Sequence, residues 1–272
     1  MLSRFNKFSY LFKSLNYFYS LIIFSLGACL GSFANVCIYR LPKNKQIISG
    51  RSFCPKCKKK INWYDNLPLI SFIILKRKCR NCKKIISTRY FTVELITGIV
   101  FLLIFLNFKD IFTITFLSIL ALIFIMIFFI DLENFIIPDS LNLSIISLAL
   151  LKNFLPNFGI SFTHQMSQSI IGGIIGYLSI WLIIFLYKTF KKIDGMGLGD
   201  AKLMAGIGLL FGWQSIPFVL FISSILGLIF VVPSLIKKQK NMRTEIPFGP
   251  FIILACLVYF AYGNLLYDLI LV

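Results

Sequence analysis

Two groups of side chains in this sequence have types and spacings that can do chemistry. The first is four cysteines in two short pairs, Cys54-Pro55-Lys56-Cys57 and Cys79-Arg80-Asn81-Cys82, with 21 residues between them. A Cys-x-x-Cys turn aims both sulfurs at one point, and two such turns supply four thiolates to a tetrahedral Zn²⁺. Zinc is the preferred reading, with redox chemistry and unligated thiols as alternatives. The second group is acidic, and the chain has only ten Asp and Glu. Asp131, Glu133 and Asp139 fall in one short stretch; Asp194 and Asp200 fall in another, framed by Gly195, Gly197 and Gly199. Two carboxylates facing each other across helices share a proton. One can then take a proton from water while the other donates to a peptide carbonyl. The glycines admit close approach by another backbone, such as a substrate strand.

A simpler reading stands beside each acid, that it caps a helix or marks a turn. For Asp139, just after Pro138, capping is preferred, and Glu133 and Asp194 read as solvated loop residues. For Asp131 and Asp200 as a pair, capping and catalysis both stay open. His164 is the only histidine and no Ser or Lys nucleophile has an evident partner, so a catalytic triad is not expected.

The elements that must position these groups are helices in a bilayer. The 272 residues are 58% hydrophobic and only 14% charged, against about 45–50% and 25% for soluble domains, which excludes an ordinary cytosolic enzyme, a disordered chain and a disulfide scaffold. Apolar segments at 17–39, 91–108, 111–130, 140–156, 168–187, 201–213, 215–236 and 248–270 predict an all-α polytopic membrane protein of about eight transmembrane helices. The segment 201–213 is short, and merging it with the next across Trp213–Pro217 gives seven. Asp131 directly follows one span and Asp200 directly precedes another, where an ionisable group is costly unless paired or functional. Cys29, Cys37 and Cys256 lie in apolar spans and read as packing. Gly172/Gly176 and Ala201/Ala205 have the small-xxx-small spacing of helix contacts.

The 28 cations against ten acids set the orientation. Residues 40–90 hold 15 Lys and Arg with Asp65 the one acid, a local charge of +14. Placing that loop in the cytoplasm brings 23 cations to the cytoplasmic side and leaves five outside, as the positive-inside rule asks. The first apolar segment then reads as an uncleaved span rather than a signal peptide. The expected organisation is 1–39, an N-terminal segment and first helix; 40–90, a small cytoplasmic zinc-binding loop domain; and 91–272, the remaining membrane domain. The cations of 40–90 are interspersed rather than striped, so a nucleic-acid partner is not expected.

Several motifs together carry a resemblance. They are Gly31-Ser32-Phe33-Ala34-Asn35-Val36, Tyr39-Arg40-Leu41-Pro42, the cysteine pairs enclosing Trp63-Tyr64-Asp65-Asn66-Leu67-Pro68, Ser87-Thr88-Arg89-Tyr90, and Val93-Glu94. The Asp131–Asp139 stretch, Gly195-Met196-Gly197-Leu198-Gly199-Asp200-Ala201-Lys202, and Ile246-Pro247-Phe248-Gly249-Pro250-Phe251 follow in order. From about residue 27 to 262 the chain resembles type IV prepilin peptidases. The resemblance implies a bifunctional Gly-x-Gly-Asp aspartic protease of the bacterial inner membrane, multi-pass, with its active site on the cytoplasmic face. Such enzymes cut the leader from prepilins or pseudopilins, then N-methylate the new N-terminus with S-adenosylmethionine. By position, the resemblance makes Asp131 and Asp200 catalytic and Cys54, Cys57, Cys79 and Cys82 a zinc tetrad. Asn35, Arg40, Asp65, Asn66 and Glu94 match family positions without assigned roles. Alternatives are a peptidase without methyltransferase activity and a non-catalytic zinc-containing assembly factor. Four positions depart from the family: Lys58 and Lys83 stand where it has Gly after each cysteine pair, Arg77 where it has Gly before the third Cys, and Phe91 where it has Pro. These put the knuckle turns in question and leave the aspartates untouched.

Overall fold

A computed structural model describes residues 2–47, 52–154, 165–192, 196–236 and 246–271. His164, Asp194, Gly195 and the loop cations Lys237, Lys238, Lys240 and Arg243 lie outside the described residues. The chain is all-helical apart from isolated bridges, and it divides into two compact units, Met1–Met126 and Ile127–Val272, with the boundary inside one long helix.

In the first unit, α1 runs Leu2–Arg40, the short α2 runs Ile70–Ile74, α3 runs Thr88–Asn107, and α4 begins at Ile111 and extends to Asn134. α1 stops where Pro42 enters a 3-10 turn and Asn44 turns left-handed at φ 51°. α3 starts at Ser87, whose Oγ accepts from the Arg89 amide at 3.3 Å. Asp110 starts α4 by accepting from both the amide and the hydroxyl of Thr113. α1 lies against α3 through small residues: a Cβ on Gly27 would meet Phe101 Cβ at 2.9 Å, and one on Gly31 would meet Glu94 Cα at 2.8 Å.

Between α1 and α3 the two cysteine pairs form matching tight hairpins. Each has an isolated antiparallel bridge, Phe53 with Lys60 and Lys78 with Ile85. The amide of Lys58 donates to Cys54 O and that of Cys54 to Lys59 O; Lys83 to Cys79 and Cys79 to Lys84 repeat the pattern. Lys58 and Lys83 both take positive φ, 58° and 56°, and Arg77 does so at 62°. The turns that glycine would make easily are therefore made by long cationic residues, at a backbone cost of about 1–2 kcal/mol each.

The second unit holds the end of α4, then α5 (Asp139–Leu151), α6 (Met166–Lys191), α7 (Leu198–Phe211), α8 (Ser215–Ile236) and α9 (Gly249–Leu271). α6 and α7 pack backbone to backbone. A Cβ on Gly172 would meet Gly208 O at 2.3 Å, one on Gly208 would meet Gly172 O at 2.1 Å, and one on Gly176 would meet Met204 O at 2.5 Å. In lipid, where apolar side chains gain nothing from leaving water, such close contact supplies the attraction between helices. α7 is mostly buried, with α5, α8 and α9 also against it.

Five described stretches are long and apolar enough to cross a membrane: Tyr17–Lys43, Thr88–Asn107, Ile111–Asn134, Met166–Lys191 and Ser215–Val232. These match five of the eight expected spans, and the build is that of a multi-pass membrane protein. The other three fall on shorter helices. α5 and α7 have 13 and 14 residues, about 20 Å of rise against a hydrocarbon core of about 30 Å, and the described side chains of α9 reach Gly263. α7 does not merge with α8, because Gly212 takes φ 84° between them.

Two expectations follow. Gly208→Ala should lower the unfolding midpoint of the detergent-purified chain by several degrees, a loss of about 2 kcal/mol or more. Gly227→Ala, whose Cβ would meet Phe251 only at 3.6 Å, should leave it nearly unchanged; equal effects would refute the seam. Lys58→Gly and Lys83→Gly should each relieve about 1 kcal/mol, slowing amide exchange in their hairpins about fivefold, whereas faster exchange would contradict the strained turn.

Candidate functional site

Asp131 lies in the last turn of α4 and is 4% exposed. The helix does not stop where hydropathy falls: Asp131 O accepts from Phe135 N at 2.9 Å, and Phe135 closes the helix at φ 57°. Asp200 lies in the first turn of α7 and is 8% exposed. The residue at the cap is Gly197, the Asp200 amide donates to Gly197 O at 3.2 Å, and the Asp200 carboxylate in turn accepts from the Gly197 amide. The two acids meet around Ile137: Gly249, whose amide bonds Asp131, and Gly199, next to Asp200, each lie so close to it that an added Cβ would come within 3.0 Å.

Backbone positions without side chains frame the pair. The amide of Gly249, at the start of α9, donates to Asp131 Oδ2 at 2.9 Å, and a Cβ there would meet the same oxygen at 2.8 Å. Gly199 sits against Ile137, whose Cβ an added methyl would approach to 3.0 Å. Asn142, on α5 and 1% exposed, donates from Nδ2 to Gly199 O at 3.2 Å. Among the described residues Asp200 Oδ1 is buried with no hydrogen-bond partner, whereas Asp131 Oδ2 is tied to a backbone amide.

The neighbouring acids behave differently. Asp139 was expected to cap α5, but the cap residue is Pro138 and Asp139 instead accepts from Lys202 Nζ at 2.7 Å, both side chains in contact with solvent. Pro138 already occupies the cap position, so the Asp139 side chain reaches across to α7. Glu133 is exposed, as expected of a solvated residue, though on the last turn of α4 rather than in a loop. Sequence reasoning passed over Asn142, yet a lone amide inside an apolar helix was a usable signal. It also saw no partner for a lysine: Lys152, fully buried, donates to Asn153 Oδ1 and Ser169 Oγ at 3.1 Å each. Lys152 and Ser169 are buried and Asn153 is half-buried, and the cluster ties the end of α5 to α6.

In the first unit the four expected cysteines converge. Their sulfurs all lie within 4.8 Å of one another, and Cys54 Sγ is 3.9 Å from Cys82 Sγ. Tetrahedral Zn–S bonds of about 2.3 Å require sulfurs about 3.8 Å apart, so the set fits Zn²⁺. Amides of Cys82 and Asn81 aimed at Cys79 outweigh its burial and pull its thiol down to about 7. At Cys82 the Lys84 amide is outweighed by burial and by the three neighbouring sulfurs, which push the thiol up to about 11. Asp65 braces the cluster, accepting from Arg80 Nε at 2.8 Å and Nη2 at 2.7 Å, and Arg80 lies over the Tyr64 ring. Cys37 and Cys256 are buried as expected of packing residues, but Cys29 is exposed on α1.

The first unit also contains a cavity of about 380 Å³. The remaining family-matched residues line it, Asn35 and Arg40 from α1, Asn66 from the loop, and Glu94 from α3. Arg40 donates to the carbonyls of Gln46 and Ile47, holding the chain as it leaves α1. Glu94 Oε2 accepts from Leu69 N at 2.8 Å, where Leu69 is strained at φ 61°.

Residues 25–108 match the family described as Bacterial Peptidase A24 N-terminal domain, and residues 118–232 match the Type IV leader peptidase family. The chain is 36% identical over 256 residues to the prepilin leader peptidase/N-methyltransferase of Vibrio cholerae, covering 88% of this chain and 96% of that one. It is 30% identical over 275 residues to the protein of the same name from Aeromonas salmonicida, covering 92% and 93%. It is also 30% identical over 262 residues to that of Pseudomonas aeruginosa, covering 88% and 89%. No solved structure matches significantly. Matched through both of its halves and along nearly the whole length of these relatives, the chain belongs to the type IV leader peptidase family.

Proposed function

We propose that this protein is a membrane aspartic endopeptidase that removes the leader of type IV prepilins or pseudopilins and then N-methylates the new N-terminal residue. The observation that carries the reading is the pair Asp131 and Asp200, brought together from two helix ends and framed by Gly249 and Gly199. Asp131 lies in a last turn, where the helix dipole disfavours a carboxylate; Asp200 lies in a first turn, where the dipole favours one, but its Oδ1 is buried without a partner among the described residues. Groups buried at such cost are expected to work on a substrate.

The chemistry follows from a shared proton. One carboxylate takes a proton from water as the oxygen attacks the scissile carbonyl; the protonated partner donates to the carbonyl oxygen. The tetrahedral intermediate then collapses as a carboxyl proton passes to the leaving amine. The Gly249 amide keeps Asp131 from rotating, and the bare backbone at Gly197, where an added Cβ would meet nothing nearer than 3.9 Å, leaves room for an extended substrate strand.

In the same reading the chain lies in the bacterial inner membrane with eight transmembrane helices, the acid pair and residues 40–90 on the cytoplasmic side. The segments 1–39, 40–90 and 91–272 then serve as first helix, four-cysteine zinc domain and peptidase domain. Zn²⁺ bound by Cys54, Cys57, Cys79 and Cys82 would supply the folding energy that a loop of few large apolar side chains lacks. S-adenosylmethionine supplies the methyl group when bound; the relatives' shared name, which includes N-methyltransferase, supports that activity. The partner in the membrane is the pilin's apolar helix, which sets the leader beside the acids.

Coexpression with a prepilin, followed by mass spectrometry of the mature N-terminus, tests both activities. A shortened and methylated product is expected, and Asp131→Asn or Asp200→Asn should each slow cutting by at least about a thousandfold at unchanged protein level. An uncut leader with the unsubstituted protein contradicts the peptidase reading; cutting without an added methyl group contradicts methylation alone.

A further inference from the structure

The short helix α2 leaves its apolar side chains uncovered. Ile70, Ile73 and Ile74 are 55%, 66% and 68% exposed, which is costly if water is what meets them. Two contacts fix where on the first unit they stand. The Phe72 ring lies 5.2 Å from that of Phe91, in the first turn of α3. One turn further along α3, Glu94 Oε2 accepts from the Leu69 amide at 2.8 Å. α3 is one of the stretches long and apolar enough to cross a membrane. α2 is thus held beside the end of a span, at the level of headgroups and the tops of acyl chains, rather than out in the aqueous loop.

Cations follow at once. Lys76, Lys78, Arg80 and Lys83 line a groove of about 280 Å³ together with Ile74 and Leu75, and no acid lines it. Arg80 is held by Asp65, whereas among the described residues Lys76, Lys78 and Lys83 are exposed and pair with no carboxylate. Lys76 takes φ 47°, so the chain turns sharply between the isoleucines and the other lysines. We propose that α2 and the hairpin after it dock on the membrane surface. Ile70, Ile73 and Ile74 enter the acyl boundary, and Lys76, Lys78 and Lys83 hold the phosphate of an anionic phospholipid. The position of α2 against a spanning helix favours lipid over an acidic protein, and a free phosphate would satisfy the lysines but leave the isoleucines in water. The same contact would steady the second cysteine hairpin, which carries Lys78 and Lys83.

Amide exchange of the full-length protein tests the docking, compared between nanodiscs of phosphatidylcholine and nanodiscs of phosphatidylcholine and phosphatidylglycerol in equal parts. Peptides covering residues 69–86 should exchange about fivefold more slowly in the anionic discs, and peptides within α7 should not change. The triple variant Lys76→Gln, Lys78→Gln, Lys83→Gln should lose that difference. Ile73→Ser combined with Ile74→Ser should exchange faster in both discs. Zinc content equal to that of the unsubstituted protein checks that each variant is folded. Phosphatidylglycerol carrying a photoreactive diazirine at the top of its acyl chain should label residues 70–74. Equal exchange in the two discs, a difference that survives in the triple variant, no change in the isoleucine variant, or label confined to the spanning helices would overturn the docking. Inorganic phosphate or polyglutamate protecting the protein in neutral discs as well as anionic lipid does would also overturn it, by assigning the groove to a soluble anion or to an acidic protein.

Discussion

The backbone contact between α6 and α7 is the constraint on which the acid pair depends. Gly172 and Gly208 touch so closely that a single methyl group on either would overlap the other's carbonyl. That contact presses α7 into the centre of its unit, and Asp200 rides on the first turn of α7. The same device recurs around the carboxylates, where Gly199 meets Ile137 and Gly249 meets Asp131. In water a hydrophobic core would gather such helices. In lipid the gathering depends on small residues and a few buried polar bonds, here the Gly249 amide on Asp131 and the Asn142 amide on Gly199 O.

Chemistry that depends on short spacing was readable from the chain. Four cysteines in two Cys-x-x-Cys turns converge wherever the hairpins form, and their sulfurs do converge. The aspartates stood out because acids are rare and these two fall at the ends of apolar runs. Long-range partners were not readable. Gly249 reaches Asp131 across 118 positions through a backbone amide, which no side-chain pattern announces. Helix ends were also misplaced where hydropathy and hydrogen bonding part company. α4 continues to Asn134, beyond the apolar run ending at 130, whereas α5 stops at Leu151 within an apolar segment expected to reach 156. A helix ends where its backbone finds another partner, and Phe135 turning left-handed provides that end for α4.

The loop between the first two long helices shows how a turn survives an unfavourable residue. Lys58, Arg77 and Lys83 stand where the family resemblance leads one to expect glycine, and each still takes positive φ. The hairpin hydrogen bonds and the sulfur cluster they serve outweigh the strain. These three cations also add to the +14 of residues 40–90, and no acid but Asp65 opposes them. Asp65 is committed to Arg80, so it does not pair with the loop's other cations.

The central claim is that Asp131 and Asp200 act as one catalytic unit sharing one proton. Cutting rates of Asp131→Asn, Asp200→Asn and the double variant, measured on one prepilin in the same membranes, test it most directly. Residues that work as a unit lose function together, so the double variant should be no slower than the slower single variant. Losses that multiply in the double variant would show two independent contributions and contradict the account.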